Sequence, residues 1–198
     1  MQATITKKPV FIIATNQNEF VQQLIDSVKQ KDIHACKQLY MQYADAMYSI
    51  CFRFTNNAVD AEDLLQEAFM KIFDKIETFK NESTVGAWIK QIVVNHCLNF
   101  VRKKKVFFED VEQVADIKQD EQHESDDFEM HVREIKNAIM QLPDGYRTVF
   151  NLYVFEEYSH KEIASALNIT ESTAKTQYFK AKNKIREIIK NNADGRER

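Results

Sequence analysis

The chain has 198 residues, 44% hydrophobic and 29% charged, with a formal charge of −3, three glycines and two prolines. That length suffices for one or two small domains with real cores. So little Gly and Pro leaves scant material for tight hairpins, Gly-rich phosphate loops or a sandwich of short strands, so an all-α protein is expected.

Cys36, Cys51 and Cys97 are odd in number, widely spaced and without a C-x-x-C pair, so neither a disulfide framework nor a zinc site is signalled. No cofactor or metal is implied. Lys7 and Lys8 precede the apolar stretch Val10 to Ala14. A secretory signal needs an apolar core of roughly 7 to 15 residues and a spanning helix about 20, so a cytoplasmic protein without direct membrane insertion is expected.

The near-neutral charge hides a segregation. Between Glu109 and His131 stand ten acids and one base, a net of −9, which leaves +6 on the remainder of the chain. Segregated charge sets local fields, so the basic flanks keep a nucleic-acid partner in play despite the acidic total.

In chain order, residues 1–17 form an N-terminal extension whose Val10 to Ala14 stretch reads as a strand or as disorder. Phe20, Val21, Leu24, Ile25 and Val28 then recur at helical spacing. After a polar break at Lys29 to Asp32, Cys36, Leu39, Tyr40, Tyr43, Met47, Tyr48 and Cys51 continue it. Asn57 is an N-cap candidate, with Asp60, Glu62 and Asp63 near the positive end of a third helix that runs to about Phe79.

Ser83 or Thr84 caps a fourth helix carrying Trp88, Ile89, Ile92, Val93, His96 and Phe100 up to the run Arg102 to Lys105. A first domain over 18–106 follows. The acidic stretch 107–127 lacks sustained periodicity and reads as a solvated linker, because so long a structureless loop is improbable inside one compact domain. Trp88 on an apolar stripe reads as core rather than as a base stacker. His96 has no second ligand at metal spacing and reads as a surface or core residue.

The second domain, 128–192, opens with a helix around Phe128 to Met140, and Pro143 suits the start of the next. Ser159-His160-Lys161-Glu162 has the spacing of a capping box and starts a short helix from His160 to Leu167. Asn168 tolerates the left-handed conformation of a sharp turn, Thr170 caps the next helix, and small Ala164 sits where two helices approach closely. That is the layout of a helix-turn-helix.

The N-terminal half of the last helix offers Ser172, Thr173, Lys175, Thr176 and Gln177, short donors and an amide that can reach base edges. Residues 159–190 carry seven bases against three acids, which suits phosphate contact. A generic helix pair with a solvated basic face is the alternative.

Beyond residue 18 the chain resembles the extracytoplasmic-function group of sigma-70-type factors, which direct RNA polymerase to promoters. The motif carrying the resemblance is Asp60-Ala61-Glu62-Asp63-Leu64-Leu65-Gln66-Glu67-Ala68-Phe69, close to the family's D-A-E-D-hydrophobic-x-Q-E-x-F pattern. It implies a helix that docks on the clamp helices of the polymerase's largest subunit. Asp60, Asp63, Gln66 and Glu67 would be polar contacts, with Phe69 and Ile72 on the packed side. An acidic solvated helix face is the plainer alternative.

Phe79, Trp88, the Ile89 to Val94 stretch, Asn95 and Arg102-Lys103 fall where the family's region 2 recognises and melts the −10 element. Strand separation without ATP draws on binding energy, through pockets that hold unstacked bases and cations that hold the backbone. Phe79, Lys80, Asn95, Asn99, Arg102 and Lys103 are the −10 candidates, with Lys104 and Lys105 as further phosphate contacts.

Leu142 to Arg147 resembles the opening of the family's region 4, and Thr173 to Ala181 its recognition helix for the −35 element. Ser172, Thr173, Lys175, Thr176, Gln177 and Lys180 are the −35 candidates. Asn99, Gln177, Asn168 and Ser172 depart from the family's usual acid, arginine and two glycines. A glutamine favours adenine where arginine favours guanine, so a less G-rich site is expected.

The resemblance implies core RNA polymerase, promoter DNA and an anti-sigma factor as partners, and no small-molecule substrate. The competing reading is a stand-alone helix-turn-helix regulator with an N-terminal sensor or dimerisation domain. An enzyme is not expected: G-x-S-x-G, H-E-x-x-H, a Walker loop and a Rossmann fingerprint are all missing from the sequence.

Overall fold

A computed structural model describes residues 11–104 and 128–194, with side chains over 19–104 and 132–192; the linker 107–127, Lys105 and Val10 lie outside the described residues. Every element described is helical. In order they are α1 (Phe11–Lys29), α2 (Ile33–Thr55), α3 (Ala58–Lys75), a 3₁₀ turn (Ile76–Thr78), α4 (Val85–Lys103), α5 (Phe128–Met140), α6 (Asp144–Val154), α7 (His160–Leu167) and α8 (Glu171–Asp194).

Local chemistry sets most of the boundaries. The Asp32 carboxylate accepts from the His34 and Ala35 amides and starts α2, Asn57 accepts from the Asp60 amide and starts α3, and Thr84 accepts from the Ala87 amide and starts α4. Such caps contribute about 1 kcal/mol each by satisfying amides the helix leaves without partners. Asn56, in the left-handed region at φ 54°, ends α2. α3 stops at Lys75 and passes through the 3₁₀ turn, so Phe79 lies beyond the helix and not at its end. Residues 11–17 of the N-terminal extension are the first turns of α1, neither strand nor disorder.

α2 lies at the centre of the N-terminal unit, against α1, α3 and α4. Leu39, Cys51, Ile72, Ile89, Val93 and Cys97 form the middle of the core, and the Cys51 and Cys97 sulfurs sit 4.0 Å apart as free, buried thiols. α4 comes close to α2 at Gly86, where an added Cβ would stand 3.1 Å from Tyr43. In the C-terminal unit, α8 packs on α5, α6 and α7. Trp88 is half-buried against the main core, in keeping with a packing role.

The two units are docked on each other. Val149, Leu152, Ile163, Leu167 and Ala174 of the second unit join the same buried cluster as the first. No helix of the described residues is long and apolar enough to cross a membrane.

Candidate functional site

α3 presents two different faces. Asp63, Gln66 and Glu67 are exposed and Asp60 is half-buried at the helix start, whereas Ala61, Leu64, Leu65, Ala68, Phe69 and Ile72 are buried. Phe69 meets Tyr40 edge-on with ring centres 4.7 Å apart, and Ile72 is wholly enclosed. Phe69 and Ile72 are therefore core residues that hold the helix down, not members of an accessible face, because their 3.6-residue phase is that of Leu65 and Ala68.

The exposed face continues onto α2. A cavity of about 370 Å³ between the two helices is lined by Tyr40, Met41, Asp45, Tyr48, Glu62 and Gln66 among others, and Met41 of α2 and Val59 and Met70 of α3 are largely exposed. Carboxylates interleaved with flexible thioethers suit a basic, amphipathic helical partner. The sequence reading missed Met41, Asp45 and Met70. For the two methionines the signal was an apolar residue standing out of phase with the buried stripe of its own helix; Asp45 gave none.

Glu67 is anchored from α4. His96 Nε2 lies 2.8 Å from Glu67 Oε2, and His96 Nδ1 lies 2.8 Å from Lys71 Nζ. Burial chiefly holds the His96 pKa below its usual value, with Lys71 and Lys103 acting in the same direction and Glu67 opposing them. Both ring nitrogens are thus occupied by contacts with side chains of α3.

The −10 candidates divide between core and surface. Phe79 is 5% exposed and packs on Trp88 with ring centres 5.4 Å apart, so it supports the loop from beneath and presents only a small part of its ring, in the wall of the cavity beside that loop. Lys80, Asn95, Asn99, Arg102 and Lys103 are exposed, and Asn95, Asn99, Arg102 and Lys103 share one side of α4 by their spacing. A cavity of about 770 Å³ opens beside the loop that follows Phe79; its rim includes Phe20, Gln42, Tyr43, Asn81, Ser83 and Thr84. Apolar walls with a polar rim are the chemistry an unstacked base requires. The sequence reading named none of these rim residues as contacts, because α1, α2 and the loop converge only in the fold.

Arg102 is held. Its Nη1 donates to Asn99 Oδ1 at 2.8 Å, and its Nε donates at 2.8 Å to the Ala166 carbonyl oxygen, which also accepts from Nη2. That carbonyl belongs to the last turn of α7, where the helix dipole favours a cation.

The helix-turn-helix forms as its caps dictate. Ser159 and Glu162 complete the capping box, Asn168 adopts φ 56° and ψ 47°, and Thr170 Oγ1 accepts from the Thr173 amide at 3.0 Å. Serine hydrogen bonds hold the Glu162 carboxyl below its usual pKa.

α8, however, turns a different side outward from the one the sequence suggested. Ser172 and Lys175 are exposed and Lys180 is half-buried, but Thr173, Thr176 and Gln177 are buried, Gln177 completely. At about 100° per residue, Thr173 and Gln177 share the side of Ala174, Ala181 and Ile185, which packs inward. They cannot reach base edges from there, and the expectation of a less G-rich site based on Gln177 loses its footing. The outward stripe is Ser172, Lys175, Phe179, Asn183 and Arg186, centred on the half-buried Phe179. Lys175 pairs with Glu171 at 2.8 Å, a surface contact of a few tenths of a kcal/mol that a phosphate can replace.

Glu156 ties the two units together. Its side chain is 1% exposed and lies 3.0 Å from Arg53 and 2.9 Å from Lys90, while Asn151 Nδ2 donates to the Arg53 carbonyl and Asn56 Nδ2 to that of Met140.

Comparison with known proteins identifies the family. Residues 39–106 match the sigma-70 region 2 family and residues 132–185 the sigma-70 region 4 family. The chain is 29% identical over 182 residues to the ECF RNA polymerase sigma factor SigW of Bacillus subtilis, covering 86% of this chain and 97% of that protein. It is 30% identical over 135 residues to SigV of the same organism, covering 68% and 78%. Among solved structures it is similar to the sigma factor RpoE of Bartonella quintana, determined with the anti-sigma factor NepR, at 24% identity and a TM-score of 0.47 over 78% of this chain and 96% of that one. With both regions matched, in order, over more than half of its length, the chain belongs to the sigma-70 family of RNA polymerase sigma factors, in its extracytoplasmic-function group.

Proposed function

We propose that the chain binds core RNA polymerase through the exposed α2–α3 face, melts and holds the −10 element with the loop 79–84 and the basic end of α4, and reads the −35 element with the outward stripe of α8. One observation carries this reading: Asp63, Gln66 and Glu67 stand together on an exposed face while Phe69 and Ile72 of the same motif anchor the helix from behind. Core polymerase and promoter DNA are its partners, an anti-sigma factor is a third as in the family, and its site of action is the cytoplasm. Its work is binding, not catalysis of a reaction.

The two DNA elements stand about 25 base pairs apart, roughly 85 Å at 3.4 Å per step. A compact chain of 198 residues has a radius of gyration of about 16 Å. The docked arrangement therefore cannot touch both elements, and binding to polymerase separates the α5–α8 unit from α1–α4. Arg102 leaves the Ala166 carbonyl at that step and becomes available to the DNA backbone.

Run-off transcription with purified core enzyme tests the proposal: a promoter-dependent transcript is expected, and its absence on every genomic fragment sinks it. Replacing Gln66 and Glu67 together by alanine should abolish the transcript while leaving −35 binding by the chain intact.

A further inference from the structure

We propose that His96 is a positioning residue for polymerase binding, holding from α4 the carboxylate that Glu67 presents on α3. The proposal rests on the reading of Asp63, Gln66 and Glu67 as polymerase contacts.

Glu67 stays 64% exposed at its side chain although one of its oxygens is bonded, whereas the His96 side chain is 9% exposed. A glutamate free on a helix surface samples many rotamers, and ordering it at an interface costs side-chain entropy. The bond from His96 orders it before the partner arrives. Neighbouring Asp63 and Gln66 receive no such brace from α4 among the described hydrogen bonds, so Glu67 is the anchored member of the face.

The ring's chemistry fits this task. A lysine ammonium donates only, so Nδ1 accepts from Lys71 and the ring proton resides on Nε2, aimed at Glu67. Glu67 and Lys71 are four residues apart and would ordinarily pair directly. With the imidazole between them, Lys71 fixes the tautomer and the carboxylate remains open to a partner. The charged groups acting on the ring are Glu67 and Lys71 of α3 and Lys103 of α4, and burial, the largest influence, lowers its pKa from the usual value.

The test is a double-mutant cycle on the affinity of the full chain for core polymerase. Glu67→Ala should weaken binding. His96→Leu should weaken it about five- to tenfold in the native background and less than about twofold in the Glu67→Ala background, and His96→Gln, which keeps a donor near the Nε2 position, should restore most of the loss. Equal losses from His96→Leu in both backgrounds, or none in either, overturn the positioning role. An unchanged affinity for Glu67→Ala overturns the reading of the face itself, and the proposal with it. If His96→Leu folds poorly, imidazole nitrogen NMR of the native chain decides: a neutral Nε2–H ring at pH 7 that loses this tautomer preference in Lys71→Met is expected, and an Nδ1–H ring or an imidazolium overturns the proposal.

Discussion

Ser172, Lys175 and Phe179 stand on the outward stripe of α8 while Thr173, Thr176 and Gln177 are buried, and this divides the effects expected of single substitutions. Gln177→Ala removes a fully enclosed side chain, so it should lower stability by about 1–3 kcal/mol in denaturant titration without changing the preferred −35 sequence. Phe179→Ala should weaken −35 binding several-fold, since the exposed part of the ring can meet a thymine methyl, and should lower stability less than Gln177→Ala does, because the ring is only half-buried. Lys175→Ala should flatten the salt dependence of −35 binding by about one unit of log-log slope, read from affinities at several salt concentrations. A changed base preference in the Gln177 variant would contradict this division.

At the scale of elements, the sharp link between α7 and α8 depends on one backbone conformation. Asn168 sits in the left-handed region and its amide closes onto the Ala164 carbonyl, so the residue there must tolerate a positive φ. Asn168→Gly should leave stability within a few tenths of a kcal/mol, and Asn168→Val should cost about 1–2 kcal/mol, because a branched Cβ clashes with the carbonyl in that region. Chemical denaturation of the full chain followed by helical signal checks both. Equal stability of the two variants would mean that the turn is held by α6 and α8 and not by its own residue.

For the whole molecule, the decisive feature is the docking of the C-terminal unit on the N-terminal one. Glu156 is buried between Arg53 and Lys90, a long way from either in sequence. Removing one partner of a buried ionic contact leaves the others uncompensated, and here those others lie on the opposite unit. Glu156→Ala should therefore loosen the docked arrangement, raising the radius of gyration measured by X-ray scattering above the roughly 16 Å of the compact chain. The same variant should release Arg102 from Ala166 and strengthen binding to single-stranded −10 DNA in the absence of polymerase. An unchanged radius would show that the shared apolar cluster around Val149, Leu152 and Leu167 holds the units together without it.

The sequence by itself determined what is local. Asn57, Thr84, Ser159 with Glu162, Asn168 and Thr170 act on amides and carbonyls three or four residues away, so helix starts, the helix-turn-helix link and the motif on α3 were legible from spacing alone. The tertiary structure decided which side of a helix is covered wherever the residue type did not tell. Phe79, Thr173, Thr176 and Gln177 carry side chains suited to a partner, yet each is buried, because burial is set by elements distant in sequence, whereas Phe69 and Ile72 lie on the packed side that the motif implied. The brace from His96 to Glu67, the hold of Ala166 on Arg102 and the burial of Glu156 likewise join residues 29, 64 and 103 positions apart. No periodicity reports such contacts, since hydrophobic phase says that a face is covered and only the packed chain says by what.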